Sequence, residues 1–240
     1  MTDLLQPGKG GRVHKGELLV CNYYGQIWRG KVFDTSFGRG LFSTQIGEGR
    51  VIPAWDKSLV GVRVGSRVML IVPPADGYGA KGAPSAGISG TDTLVFVIDV
   101  VGAYGAGLHG GANATLLRHE VDGVVVGGPL GGKPTVKVTK GAPLPKKLSV
   151  TVIARGKGPR ITPGLVIDQF VAAAWSGPAP TSTYAARLPD AELVGSKAQP
   201  SGLDPIVGLP LGSRVLVLVP KSSAGGPFAF VFDLLAEPRA

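Results

Sequence analysis

The side chains that ordinarily carry covalent or metal chemistry are scattered in this sequence. The three histidines, His14, His109 and His119, share no metal-ligand spacing, and none stands beside a candidate nucleophile. The lone cysteine, Cys21, has no partner for a disulfide or a zinc site and reads as a small buried hydrophobe in a strand. Gly127 to Lys133 spells Gly-x-x-x-x-Gly-Lys, the skeleton of a phosphate loop. Pro134 follows where a magnesium-binding Ser or Thr belongs, and a strand-like run follows in place of a helix, so the loop is rejected. Asp34, Asp56 and Asp76 do not make a convincing acid/base pair. No metal and no cofactor are expected. What stands out is a string of short glycine-containing motifs with aromatic residues in and between them, in the first half of the chain. Taken singly, each reads as an ordinary core residue.

The elements that would position these residues are mostly strands. Glu17–Tyr24, Arg67–Val72 and Thr93–Val101 are β-branched or aromatic runs bounded by Gly and Pro. One short helix fits Pro53–Val60, with Pro53 in the first turn, where its missing N–H costs nothing, and Gly61 as the stop. Many strands and one short helix predict an antiparallel sheet with the helix packed on its face. Glycine, at 38 of 240 residues, with 20 prolines, favours turns and strands over long helices.

The chain repeats itself. Residues 61–74 (Gly-Val-Arg-Val-Gly-Ser-Arg-Val-Met-Leu-Ile-Val-Pro-Pro) match residues 208–221 (Gly-Leu-Pro-Leu-Gly-Ser-Arg-Val-Leu-Val-Leu-Val-Pro-Lys) at an offset of 147. Tyr23 and Phe170, and Trp28 and Trp175, keep that offset. Further on, Leu94–Asp99 matches Phe228–Asp233 at an offset of 134, so thirteen residues are missing from the second copy where the first has Ala75–Ile88. Such a period means two domains of about 100 residues, because solenoid repeats recur every 20–50. The expected layout is a first domain over 1–104, a flexible Gly/Ala-rich linker over 105–120 and a second domain over 121–240, whose opening segment Val121–Pro145 reads as extended chain.

The net charge is +9, and eight basic residues with no acidic one lie between Lys133 and Arg160. A stripe of this kind attracts nucleic acid or anionic membrane surfaces. Here it lacks aromatics for base stacking and any recognition-helix pattern, so a solvated strand face is the reading and nucleic acid is not an expected partner. No run of about 18 apolar residues exists to span a membrane.

Between Val20 and Phe96 the motifs fall into a familiar order: Tyr23-Tyr24-Gly25, Gly30-Lys31-Val32-Phe33-Asp34-Thr35-Ser36, Val51-Ile52-Pro53-Ala54-Trp55-Asp56, Val64-Gly65-Ser66, Gly77-Tyr78-Gly79 and Thr93-Leu94-Val95-Phe96. In this order they resemble the FKBP-type peptidyl-prolyl cis/trans isomerases over nearly all of residues 8–104. The resemblance implies an α+β fold, mostly β, of two FKBP-like domains, each an antiparallel sheet wrapped around one short helix. It implies rotation about X–Pro bonds as the activity. It further implies that Tyr23, Phe42, Trp55 and Phe96 line a pocket with Trp55 as floor, and that Phe33 and Ile88 are further walls. Val51 and Ile52 would sit at the rim, with the Ile52 N–H donating to a substrate carbonyl. Tyr78 would offer its hydroxyl from the flap, and Asp34 would anchor the site with Arg39 as ionic partner. Proline-containing polypeptides are the expected substrates, and macrolide immunosuppressant-type inhibitors are implied as ligands. The alternative is a non-catalytic peptide- or client-binding module.

The sequence departs from the family at Ala54, where Gly is frequent, at Ser89-Gly90, which predicts a looser flap, and at Arg50, where some relatives carry an acid. In the second copy, Phe33-Asp34 falls near Pro180-Thr181, Val51-Ile52 near Ala198-Gln199 and Trp55 near Gly202, which predicts a folded domain without a pocket. The start of the chain lacks the basic and apolar stretches of an export signal, which reads as cytoplasmic. The tandem layout and abrupt start also resemble exported actinobacterial relatives, so an extracytoplasmic site stays open.

Overall fold

The computed structural model describes residues 1–222 and 225–239. Backbone contacts divide the chain into two compact units, one built on Met1–Gly105 and one on Ala106–Glu237.

The first unit holds strands β1 (Thr2–Gln6), β2 (Leu18–Ile27), β3 (Val32–Thr35) and β4 (Phe42–Gln45), helix α1 (Pro53–Leu59), and strands β5 (Arg67–Val72) and β6 (Leu94–Tyr104). The sheet runs β1-β5-β6-β2-β3, with β4 also paired to β2, and every pairing is antiparallel. Period-two burial shows why: in Arg67–Val72 and Leu94–Tyr104 alternate residues are buried. The buried face of the sheet, with Leu19, Cys21, Tyr23, Val68, Leu70, Phe96 and Ile98, packs on Ala54, Trp55 and Leu59 of α1. Truncating a fully buried member such as Leu70 costs about 2–5 kcal/mol. The helix starts on Pro53 and stops one residue earlier than expected, with Val60 already extended and Gly61 at φ +89. Strands β1, β3 and β4 were not expected. They are four or five residues long, and β1 is exposed throughout, so no buried alternation marks it.

The segment between β5 and β6, here termed the flap, contains three single 3-10 turns, Pro74–Asp76, Gly79–Lys81 and Pro84–Ala86. Ala83 and Ile88 exchange two backbone hydrogen bonds, and Asp92 accepts from the Ser89 N–H at 2.7 Å.

The second unit holds strands β7 (Thr115–Leu116), β8 (Glu120–Val121), β9 (Val124–Gly127), β10 (Thr135–Val138), β11 (Ser149–Arg155) and β12 (Gly164–Ala174). Helix α2 (Thr183–Ala186) and strands β13 (Asp190–Val194), β14 (Arg214–Val219) and β15 (Phe228–Ala236) follow. Its main sheet runs β13-β12-β15-β14-β11-β7. The internal order β11-β14-β15-β12 repeats β1-β5-β6-β2, and β1 and β11 each carry an irregularity of register near their ends. The repeat extends to single hydrogen bonds. Ser66 Oγ accepts from Gly8 N and Ser213 Oγ from Gly156 N, at 2.8 and 2.9 Å. Ser36 Oγ accepts from Tyr23 N, and Thr183 Oγ1 accepts from Phe170 N.

Three expectations need correction here. Residues 105–120 are not a free linker: Thr115–Leu116 pairs with β11, and the carboxamide of Gln169 donates to the Leu108 carbonyl. Val121–Pro145 is not simply a lead-in, because β8, β9 and β10 form their own three-stranded sheet. Its Val124, Val126, Val136 and Val138 pack on Ile153, Val171, Leu216, Leu218 and Val231 of the main sheet. The helix of the first unit shrinks in the second to the 3-10 turn Asp204–Ile206, closed by Gly208 at φ +87.

Candidate functional site

The walls of an aromatic cavity come from seven places in the first unit. β2 supplies Tyr23, β3 supplies Phe33 and Asp34, β4 supplies Phe42, the loop into α1 supplies Gly49 to Ile52, and α1 supplies Pro53 and Trp55. The flap adds Gly77 and Tyr78, and β6 adds Phe96. The cavity measures about 510 Å³.

Its rings interlock edge to face. Trp55 stands at the centre, 5.4 Å from Tyr23, 5.4 Å from Phe96 and 6.0 Å from Phe42, with interplanar angles of 77°, 84° and 87°. Tyr23 meets Phe42 at 5.5 Å, and Phe33 meets Phe96 at 5.5 Å. Such pairs are worth about 0.5–1.5 kcal/mol each beyond burial, so the walls are stiff. Gly25 makes the Phe33–Phe96 contact possible: a Cβ there would lie 2.7 Å from the Phe33 ring and 3.0 Å from that of Phe96. The Trp55 indole N–H is buried with no acceptor among the described residues.

Polar groups bracket the apolar walls. The Tyr23 hydroxyl donates to Asp34 Oδ2, the Arg39 guanidinium donates to Oδ1 of the same carboxylate, and the Thr35 N–H adds a third bond at 2.9 Å. Burial pushes the Asp34 carboxyl up, but the hydrogen bonds from Tyr23 and Arg39 outweigh it and hold the group below its ordinary range. Burial, with the neighbouring Asp34, pushes the Tyr23 hydroxyl up to about 12. The Tyr78 hydroxyl is also raised, first by burial and then by the charge of Asp34. Both phenols therefore stay protonated donors at neutral pH. The Ile52 N–H makes no hydrogen bond among the described residues and stands free at the rim.

Of the ten site residues expected from sequence, nine line this cavity. Ile88 does not. It is 3% exposed and packs into the core, held to Ala83 on the flank of the flap. Sequence reasoning missed the supports behind the walls. Ser36 Oγ donates to Asn22 Oδ1, and Thr35 Oγ1 donates to the Tyr23 carbonyl, so two hydroxyls hold Tyr23 in place. Asp56, discounted as an acid/base candidate, accepts from the N–H groups of Gly47 and Gly49 and braces the rim loop. Its signal was in the repeat: Asp204 accepts from Gly195, again nine residues upstream. That match moves the local offset by one residue, so Leu203, not Gly202, occupies the place of Trp55. Phe170, Phe230 and Phe232 remain in the second unit but pack on one another at 5.3 to 5.9 Å.

Comparison with known proteins agrees with this geometry. The family described as FKBP-type peptidyl-prolyl cis-trans isomerase matches residues 10–101. The chain is 38% identical over 102 residues to FK506-binding protein 1A of Aspergillus fumigatus, which takes in 42% of this chain and 90% of that one. It is 44% identical over 91 residues to the mouse peptidyl-prolyl cis-trans isomerase FKBP9, covering 38% of this chain but 16% of the mouse protein. Among solved structures, FkpA from Escherichia coli aligns at 34% identity and a TM-score of 0.40, over 43% of this chain and 47% of that one. The fold and site define an immunophilin-type domain. The chain belongs to the FKBP-type peptidyl-prolyl cis/trans isomerase family.

Proposed function

We propose that the chain catalyses cis/trans rotation of X–Pro bonds in polypeptides, with the site in the first unit. The observation that carries this is the aromatic box around Trp55, bordered by the Tyr23–Asp34–Arg39 network. Rotation must break amide resonance against a barrier of about 18–20 kcal/mol, and uncatalysed it takes tens to hundreds of seconds. The twisted amide carries less charge separation than the planar one, so an apolar pocket binds it in preference to the ground state. Phe33, Phe42, Trp55 and Phe96 grip the proline ring, the free Ile52 N–H takes a substrate carbonyl, and Tyr78 donates from the flap. Asp34 holds the Tyr23 hydroxyl and so fixes one wall. No nucleophile is needed. The same box fits FK506-type macrolides, the ligand class in the name of the Aspergillus relative.

We further propose that residues 106–237 form a non-catalytic copy of the same domain. Leu203 stands in for Trp55, the flap is shortened, and Asp34 has no acidic counterpart at Thr181. A purely binding role for the whole chain is the competing reading. The deciding measurement is isomerisation of an Ala-Leu-Pro-Phe peptide by exchange NMR, with the intact chain and with Trp55→Ala, each checked for native circular dichroism. Catalysis by the first and its loss by tenfold or more in the second is the expected result. An inert, folded wild-type chain would leave a peptide-binding groove.

A further inference from the structure

The charges around the pocket are unbalanced in one direction. The acids nearby are all engaged: Asp34 by Arg39 and Tyr23, Asp56 by the Gly47 and Gly49 N–H groups, Asp76 by Lys57 at 2.7 Å, and Glu48 by Lys15 at 3.8 Å. Two of the cations near it, Arg50 and Lys31, have no such partner among the described residues. Arg50 lines the cavity at the rim, directly before Val51-Ile52, and is exposed. It makes no hydrogen bond or ion pair among the described residues. Lys31 immediately precedes β3, two residues before the wall residue Phe33. Its ammonium lies against the flap at Gly87, where a Cβ would overlap Nζ, and it too has no acidic partner among the described residues. One free cation therefore stands at the rim loop and one where β3 meets the flap.

Resting on the isomerase reading above, we infer that the site selects prolines flanked by acidic residues, with Arg50 and Lys31 as the specificity-determining side chains. Neither cation touches the rotating bond. Each meets the polypeptide on either side of the proline ring, where a Glu or Asp side chain gains an ion pair and a Lys side chain meets a like charge. For an exposed pair the preference is modest, roughly two- to fivefold in kcat/KM per contact. It weakens with salt, because the Debye length falls from about 10 Å at 0.1 M to about 3 Å at 1 M. At low ionic strength the same field also speeds encounter with acidic chains.

The test uses the intact chain and two sets of blocked peptides, with Glu, Gln or Lys placed immediately before or immediately after the proline. Exchange NMR gives kcat/KM at low and high salt. The expected order at low salt is Glu over Gln over Lys in at least one set, compressing at 1 M salt. In Arg50→Glu or Lys31→Glu the Glu-to-Lys ratio is expected to fall, and in the double variant to invert. A Glu-to-Lys ratio near one in both sets, or a ratio that neither variant moves, overturns the inference while activity on the Gln peptides leaves the isomerase reading intact. No turnover of any Gln peptide by the folded chain overturns both.

Discussion

Arg214 grips Asp233 through two hydrogen bonds, Nε to Oδ1 at 2.7 Å and Nη2 to Oδ2 at 3.0 Å. Arg67 grips Asp99 in the first unit with the same two atoms, at 2.5 and 2.7 Å. The geometry is repeated but the surroundings are not. The Arg67 and Asp99 side chains are 49% and 26% exposed, whereas those of Arg214 and Asp233 are 3% and 0%. The sheet of β8, β9 and β10 accounts for the difference. Its connecting loop turns the carbonyls of Gly128, Pro129 and Gly132 toward the guanidinium, and Tyr184 donates to Asp233 Oδ2 at 2.9 Å. A buried ion pair is tolerable only when its remaining donors and acceptors are satisfied, as they are here.

The two pairs should therefore respond differently to the same substitution. Asp233→Asn leaves a buried guanidinium without its counter-charge, which costs about 3–5 kcal/mol. Asp99→Asn removes an exposed pair worth about 0.2–1 kcal/mol. Urea unfolding of the intact chain, followed by circular dichroism, reads both. Equal shifts in the two variants would contradict the assigned burial.

Asp168 stands where the first copy has Cys21, at an offset of 147, and is completely buried with neither carboxyl oxygen hydrogen-bonded among the described residues. Burial, reinforced by Asp190 and Glu192, raises its pKa well above the ordinary carboxylate range. A folded-state pKa above the unfolded one means that the contribution of Asp168 to stability is greatest below about pH 4, the unfolded value, and declines as pH rises toward the folded value. Asp168→Cys, which restores the residue of the first copy, is expected to raise the unfolding midpoint, and to raise it more at pH 8 than at pH 5. A variant less stable than wild type at pH 8 would show that the carboxylate has a partner in solution.

Much of this was legible in the sequence because the first unit obeys simple periodicities. β5 and β6 alternate cleanly, Pro53 and Gly61 bracket the helix, and eight of the nine expected residues that line the cavity lie in the ordered motifs, with Phe42 outside them. The unread parts have physical reasons. β1 buries none of its five residues, so no alternation betrays it. Ile88 is apolar and in the flap, which made it resemble a wall, but its mutual hydrogen bonds with Ala83 turn it into the core. The valines of β9 and β10 signalled strands without revealing that they cover the outer face of another sheet, because that pairing is long-range. Leu203 was hidden by a one-residue change of offset that shows only when Asp56 and Asp204 are matched by their hydrogen bonds.

Cys21 is 0% exposed, and its thiol pKa is pushed up to about 12, first by burial and then by the charge of Asp99. The thiolate is the reactive form. At pH 8 the native chain is expected to resist iodoacetamide for hours, while the urea-unfolded chain is labelled within minutes. Intact mass measurement distinguishes the two. Rapid native labelling would mean that β2 opens far more readily than its place in the centre of the sheet implies.

The bond between Tyr23 and Asp34 makes the pocket acid-sensitive in a definite direction. Asp34 has a depressed folded-state pKa, so its contribution is present above the unfolded value near 3.9 and is lost as pH falls through the folded value. Isomerisation is therefore expected to be flat from about pH 5 to pH 9 and to fall on acidification below about pH 4. Tyr23→Phe removes one of the two side-chain hydrogen bonds that hold the carboxyl down, so the acid limb should move to higher pH. Because Asp34 is 40% exposed and Arg39 remains beside it, the accompanying loss in kcat/KM is modest, roughly three- to tenfold. Asp34→Asn should lower activity and abolish the acid limb together, since no titrating carboxyl is left beside Tyr23. A pH profile of kcat/KM with the three chains, paired with a carbon-13 titration of the Asp34 carboxyl, gives both readings. An acid limb that persists unchanged in Asp34→Asn would assign the titration to another group and remove Asp34 from the account of the pocket.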